Sequence, residues 1–374
     1  GYNVAVGMSA LENNTTASYN TAVGTNCMVG NTTGTNNVAM GYATLDANTT
    51  GSSNVAIGQA ALGSNTTADN NTAVGKDALI TNTTGSENTA VGKEALATNN
   101  GSNNTAVGVT AMYLNTTGTN NAAFGQSCMK KNTTGSGNTA IGRVSMFENT
   151  TGSNNTAVGY AALQLNVTGQ QCVAVGQGAA LNHTDGQGMV CIGHNAGQTN
   201  TTGGSNICIG KSSDVSGSNN AFSIVIGTSI STVSNRVAIG KSGGLIYADF
   251  DSSASWTQSS DERLKDDITE TDLGLDFINE LRPVTFKWKD TRTIDSDLFK
   301  HKTVEESGKN TETLQYGLVA QEVKAAMDKV GHDKFTGWDL DEDESQSLRE
   351  GQFIYPLIKA IQELSAKVKA LEEA

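Results

Sequence analysis

The segment S-S-D-E-R-L-K-D-D-I, residues 259–268, is where residue types and spacing point most directly to a reaction. It holds two serines, Ser259 and Ser260, and a lysine, Lys265. A serine hydroxyl is a weak nucleophile near neutral pH, and a lysine can take its proton only where burial lowers the ammonium pKa. The same residues have a plainer reading. Ser259 followed three positions later by Glu262 is a capping box for a short helix, which would leave Lys265 on a solvated face. Taken alone, the residues favour the capping helix.

Other chemistry is sparse. The five cysteines match no zinc or disulfide framework, and Cys191 and Cys208 occupy the same repeat position one period apart. Two small buried thiols stacked about 4.8 Å apart are expected there, with no metal and no cofactor. Residues 1–245 hold 9 acids and 8 bases, leaving 28 acids and 16 bases for residues 246–374 of a chain with net charge −13. That break marks a domain boundary near residue 245, and an acidic tail without a Lys/Arg cluster argues against nucleic acid. No run approaches the roughly 18 apolar residues of a membrane span, so no membrane insertion is expected. No signal peptide is visible, and a start at Gly1 rather than Met points to a missing upstream portion.

What must position any site is a repeat. The phrase N-(T/V)-A-(V/I/M/F)-G places glycines at 7, 24, 41, 58, 75, 92, 108, 125, 142, 159, 176, 193, 210 and 227, nearly always 17 apart. A fixed short period means a solenoid whose coils bury their apolar faces only by stacking. Some fifteen coils at ~4.8 Å per rung give a rod of roughly 70 Å. The residue before each glycine is β-branched in twelve of fourteen repeats, as a strand requires. That residue and the Leu or Met four places after the glycine are expected to form the internal stack, leaving the small Ala between them for close approach of another copy. The triplet N-T-T recurs with Asn at 14, 31, 48, 65, 82, 115, 132, 149 and 200. It matches the N-glycosylation acceptor pattern, but recurrence in register is explained by Asn and Thr ladders along the rod. The last gap, Gly227 to Gly240, shortens to 13, and a cap or stalk is expected to begin there.

V-A-I-G-x-x-A with Asn and Gly corners resembles the β-roll of trimeric autotransporter adhesin heads and phage fibre modules, whose period is somewhat shorter; the resemblance implies three chains side by side. From Trp256 the chemistry changes to S-S-D-E-R-L-K-D-D-I, then L-R-P-V-T-F-K-W-K, then Y-G-L-V-A-Q-E-V, then a terminal helix. These resemble the endosialidase-type intramolecular chaperones found at the ends of phage tail spikes and fibres. The resemblance implies a trimerising domain that guides folding of the β-structured stalk and then cuts itself off with a Ser-Lys dyad. Carried onto S-D-x-R-x-K, it places the nucleophile on Ser260, the general base on Lys265 and the cut between Ser259 and Ser260: a self-cleaving serine endopeptidase of a single turnover. Many family members carry a His two residues before the Gly of G-x-x-A-Q, where this chain has Gln315, with His301 and His332 elsewhere; if that position or His301 is accessory to cleavage, the resemblance implies a copy that cuts slowly or not at all. A polar stretch between Asp290 and Thr313 reads as an exposed loop, or as an arm that clamps the stalk.

Ile354, Leu357, Ile361, Leu364, Val368 and Leu371 alternate spacings of 3 and 4, a short coiled coil over about 353–373. The expected architecture is mainly β: a parallel β-roll or β-solenoid over 1–244, a connector over 245–259, and a small α+β chaperone domain over 260–374 ending in the coiled coil. The expected function is a trimeric tail fibre or spike of a virion, assembled in the host cytoplasm and attaching to a host cell-surface glycan. A bacterial surface trimeric adhesin is the alternative, although the chain ends in A-L-E-E-A without a membrane anchor. A glycan-degrading spike would need paired carboxylates and aromatic platforms, and neither pairing nor any Trp precedes Trp256.

Overall fold

The computed structural model describes residues 1–250, 257–258, 266–287, 314–340 and 345–374. The chain divides into two compact units, Gly1–Ser260 and Asp261–Ala374. The first is a parallel β-solenoid of about 14 turns at roughly 17-residue spacing, close to the fifteen coils expected. Its three-residue strands pair in register from Val4–Val6 to Ile207–Ile209, so that Ala5 lies beside Ala22, Ala73 beside Ala90 and Cys191 beside Cys208. Ile224–Thr228 and Arg236–Lys241 complete the parallel stack. Gly244–Asp249 then turns back antiparallel onto Arg236–Lys241, closing the last rung where the pattern of glycines ends. Arg236 lies over the Tyr247 ring, 4.2 Å from its centroid, and pairs with Asp249.

The interior of each coil is narrow. Ala at the centre of the strand is fully buried (Ala22, Ala39, Ala56, Ala73), and so is the Leu or Met four places after the glycine (Met28, Leu45, Leu62, Met112). The residue before the glycine points the other way: Phe124 is 41% exposed, Ile141 42% and Ile192 39%. The expected assignment of these two strand positions is therefore inverted. Successive strand residues alternate faces, and a coil this thin admits only small side chains on its inner face, alanine in most rungs and Cys191, Cys208 and Val225 in later ones. The large β-branched side chains form an outward stripe along the sheet.

Two columns of asparagine fill the rest of the interior. In one, Asn48 Nδ2 donates to Asn31 Oδ1 at 2.8 Å and Asn65 Nδ2 to Asn48 Oδ1 at 2.8 Å. In the other, the backbone N–H of Asn37 donates to Asn20 Oδ1 at 2.9 Å, while Asn20 Nδ2 donates to the Gly34 carbonyl at 2.8 Å. Outside them, Thr32 Oγ1 donates to the Thr49 carbonyl at 3.0 Å. The ladder reading of N-T-T is thus the observed one, and burial of Asn31, Asn48 and Asn65 leaves their amides no room for a glycan. The repeat between Gly92 and Gly108 lacks one corner residue. There Asn100 Oδ1 accepts both the N–H and the hydroxyl of Thr83, each at 2.8 Å, in place of the missing carbonyl.

The anchor glycines meet backbone to backbone. Gly75 has φ +137°, and a Cβ on it would lie 2.6 Å from the carbonyl carbon of Gly92. Gly75→Ala combines a forbidden φ with a clash that only a shift of the next rung could relieve. It is expected to lower the stability of the shaft by about 2–4 kcal/mol, read as a fall in the denaturation midpoint.

In the second unit, α1 (Leu275–Glu280), α2 (Ala320–Lys329) and α3 (Ile354–Glu372) surround a core of Leu273, Phe277, Val323, Ala326, Met327 and Phe353. Phe335 meets Phe277 and Phe353 edge-on at 5.5 and 5.0 Å. Glu363 of α3 accepts the Leu275 N–H of α1 at 2.8 Å, tying the two helices together. The terminal helix expected over about 353–373 is present, and Pro356 and Ala360 are its buried residues. Its heptad seam faces out: Ile361 is 66% exposed, Leu364 51% and Leu371 78%.

Candidate functional site

The motif segments that precede and follow the polar stretch pack against each other. Val284–Phe286, from L-R-P-V-T-F, pairs antiparallel with Gln315–Gly317, from Y-G-L-V-A-Q-E-V, with Phe286 opposite Gln315 and Val284 opposite Gly317. The chain enters α2 three residues after Gly317, and Arg282 reaches across to Glu322 on that helix. Gln315 is thereby fixed on a strand, half-buried, at the position where the motif places its histidine. Ser259, Ser260 and Lys265 lie outside the described residues, as do Glu262 with its capping box, His301 and the stretch from 290 to 313.

His332 follows α2, and its Nδ1 accepts the backbone N–H of Lys334 at 3.3 Å, so its Nε2 carries the proton facing Asp272 at 3.0 Å. The carboxylate and the backbone together fix the ring's tautomer and orientation.

Elsewhere the titratable groups are structural. The five cysteines are free and buried. Burial pushes the Cys128 thiol up to about 12 and Cys27 up to about 11, so neither is a nucleophile at neutral pH. Cys191 is likewise held well above the ordinary thiol range, first by its hydrogen bond with the Cys208 thiol and then by burial, in keeping with two stacked inert thiols. Among the described residues no group of three metal-ligating side chains comes together.

His183 is a feature the sequence reading passed over, although aligning the repeats places it in an asparagine column. Its Nε2 donates to the Gly186 carbonyl at 2.9 Å, the role that Nδ2 plays at Asn132 toward Gly135. With that proton committed, nothing is left for the ladder: His183 Nδ1 and Asn166 Oδ1 are both buried without a partner. Burial lowers the His183 pKa, outweighing the Gly186 hydrogen bond, Asn200 and nearby Asp185. A histidine whose folded pKa is depressed contributes stability above its unfolded value of about 6.5 and loses it as pH falls from there toward the folded value. The shaft is therefore expected to soften through mildly acidic pH. His183→Asn should remove that loss and restore the ladder bond, raising stability at neutral pH by about 1 kcal/mol; unfolding midpoints of both proteins against pH check this.

A regular β-solenoid is thus followed by a small unit with a motif-bearing hairpin and an exposed helical seam. Residues 260–332 match the family of the chaperone of endosialidase. No curated protein and no solved structure matches the chain. Together the solenoid and the matched segment make this a tail-fibre-like protein with a C-terminal chaperone domain of that family. Ser260, Lys265, Gln315 and His301 all fall within the matched segment.

Proposed function

We propose that the chain is the shaft and chaperone of a virion tail fibre or spike, working as a homotrimer that attaches to a glycan on the host surface. The observation that carries the reading is the pair of unpartnered apolar stripes. One runs the length of the sheet through Phe124, Ile141, Val175 and Ile192, and the other follows the seam of α3 through Ile361, Leu364 and Val368. Copies of the same chain present the same stripe at the same height, which is what a parallel homo-oligomer needs. Covering the exposed half of each Val or Ile contributes about 1 kcal/mol, repeated at every rung.

The chaperone has a physical task in this scheme. A stack of near-identical rungs can pair one rung out of step, and register is hard to correct once many rungs have zipped. Association of the helical units first would set three shafts level before the rungs pair. In the assembled domain, desolvation of Lys265 would lower its ammonium pKa and let it take the Ser260 proton. Attack of Ser260 Oγ on the Ser259 carbonyl would break the Ser259–Ser260 C–N bond, the lysine returning the proton to the Ser260 amine, and the resulting ester would be hydrolysed by water to free the Ser259 carboxylate and the Ser260 hydroxyl, with backbone N–H groups holding the oxyanion. Release after assembly leaves a shaft that unfolds slowly because its template is gone. Light scattering on the freshly purified protein tests this reading: three times the mass of the full chain, or of the shaft alone once the chaperone is released, is expected, and a monodisperse single chain would exclude it.

A further inference from the structure

Between residues 95 and 184 the shaft departs from its own charge pattern, with Lys130, Lys131 and Arg143 against the single acid Glu148. Three other lysines of the shaft are matched: Lys76 pairs with Asp77 at 3.7 Å, Lys93 with Glu94 at 3.2 Å and Lys131 with Glu148 at 2.7 Å. Lys130 and Arg143 make no ion pair among the described residues. Both lie over aromatic rings instead. Lys130 Nζ is 5.9 Å from the centroids of both Tyr113 and Phe147, and Arg143 Cζ is 6.0 Å from that of Tyr160. Tyr113, Lys130 and Phe147 share one repeat position on three successive rungs, so the ammonium sits between two rings about two rungs, or ~9.6 Å, apart. None of the five belongs to the outward stripe of strand residues, so the patch stays open when that stripe is covered.

We propose that Tyr113, Lys130, Phe147, Arg143 and Tyr160 form a binding site for a linear, carboxylate-bearing polysaccharide. This rests on the attachment reading and names its ligand class. The apolar faces of sugar rings stack on Phe147 and the tyrosines, which join a flat apolar surface to a polar edge. Lys130 and Arg143 take the carboxylates, their charge held in place by the rings beneath them. Two cations suit a polymer with widely spaced charges. A nucleic acid presents far denser charge and would meet a chain of net charge −13. Three copies of a weak site reach useful avidity on a repeating polymer.

The test is binding of the full chain to alginate, a uronic acid polymer, and to neutral dextran, at low and high salt. Binding to alginate alone, weakening with salt, is expected. Lys130→Gln with Arg143→Gln should weaken it by about tenfold or more at an unchanged melting temperature, while Lys76→Gln with Lys93→Gln leaves it as it was. No binding to alginate, equal binding to dextran, or a Lys130/Arg143 double variant that binds like the parent would overturn the proposal. Those outcomes leave the mass measurement on the oligomer untouched, so the two readings fail separately.

Discussion

Ser260→Ala is expected to convert a protein that appears as two fragments into one of full length. On the proposed mechanism the parent separates at Ser259/Ser260, and intact mass would place the new N-terminus at Ser260. Lys265→Ala should have the same effect, because a serine without a base to take its proton is unreactive near neutral pH. The loss in each case is of the whole reaction, several orders of magnitude in rate. Both variants should remain oligomeric, with the full chain in every copy. A parent that runs as one full-length band would sink self-cleavage and turn attention to Gln315, the residue on the strand beside Phe286 where the motif carries histidine. Gln315→His should then raise the extent of cleavage, measured by the same gel.

The other large effect is expected on the sheet. Phe124→Asp with Ile141→Asp places two carboxylates per chain in the outward stripe, on adjacent rungs. In a single shaft both positions are about two-fifths exposed, so the charges remain hydrated and the coil is little disturbed. In a side-by-side trimer they would be buried without partners, at several kcal/mol each and repeated in three copies. The scattering mass of the shaft should fall toward that of one chain. Circular dichroism should still show its β-structure. Leu45→Asp would do the opposite, destroying the coil itself, because Leu45 is fully buried inside its own chain.

The contrast between those substitutions is also where the sequence was hardest to read. The glycine period gave the coil, its length and the parallel stack, since a close backbone contact every rung tolerates no other residue. Parity was another matter. V-A-V-G offers one small and two large apolar residues on opposite faces, and the usual rule puts the large ones inside. Here two asparagine columns and a Leu or Met already occupy the interior, so the inner strand position takes small residues, alanine in most rungs, and the large residues are left for a neighbour. The buried leucines themselves adopt a conformation that no propensity anticipates, with Leu79 at φ +52°. The ladder above and below overrides a local preference of about 1–2 kcal/mol. His183 was visible as a break in a column but looks ordinary until the column is known to be buried. The terminal helix was legible almost to the residue, because its 3–4 spacing survives any choice of partner. The proposed dyad, Ser260 and Lys265, rests on a motif alone and lies outside the described residues.

The measurement that bears most directly on the central claim is cysteine cross-linking between copies. Ile141→Cys puts a thiol on the outward stripe, while Thr134→Cys puts one on the exposed corner of the preceding coil; the native cysteines are all buried. Mild oxidation of the assembled protein should join copies through position 141 and leave the position 134 variant as single chains on a denaturing gel. Cross-linking at 134 with none at 141 would place the contact on the wrong face and contradict the account.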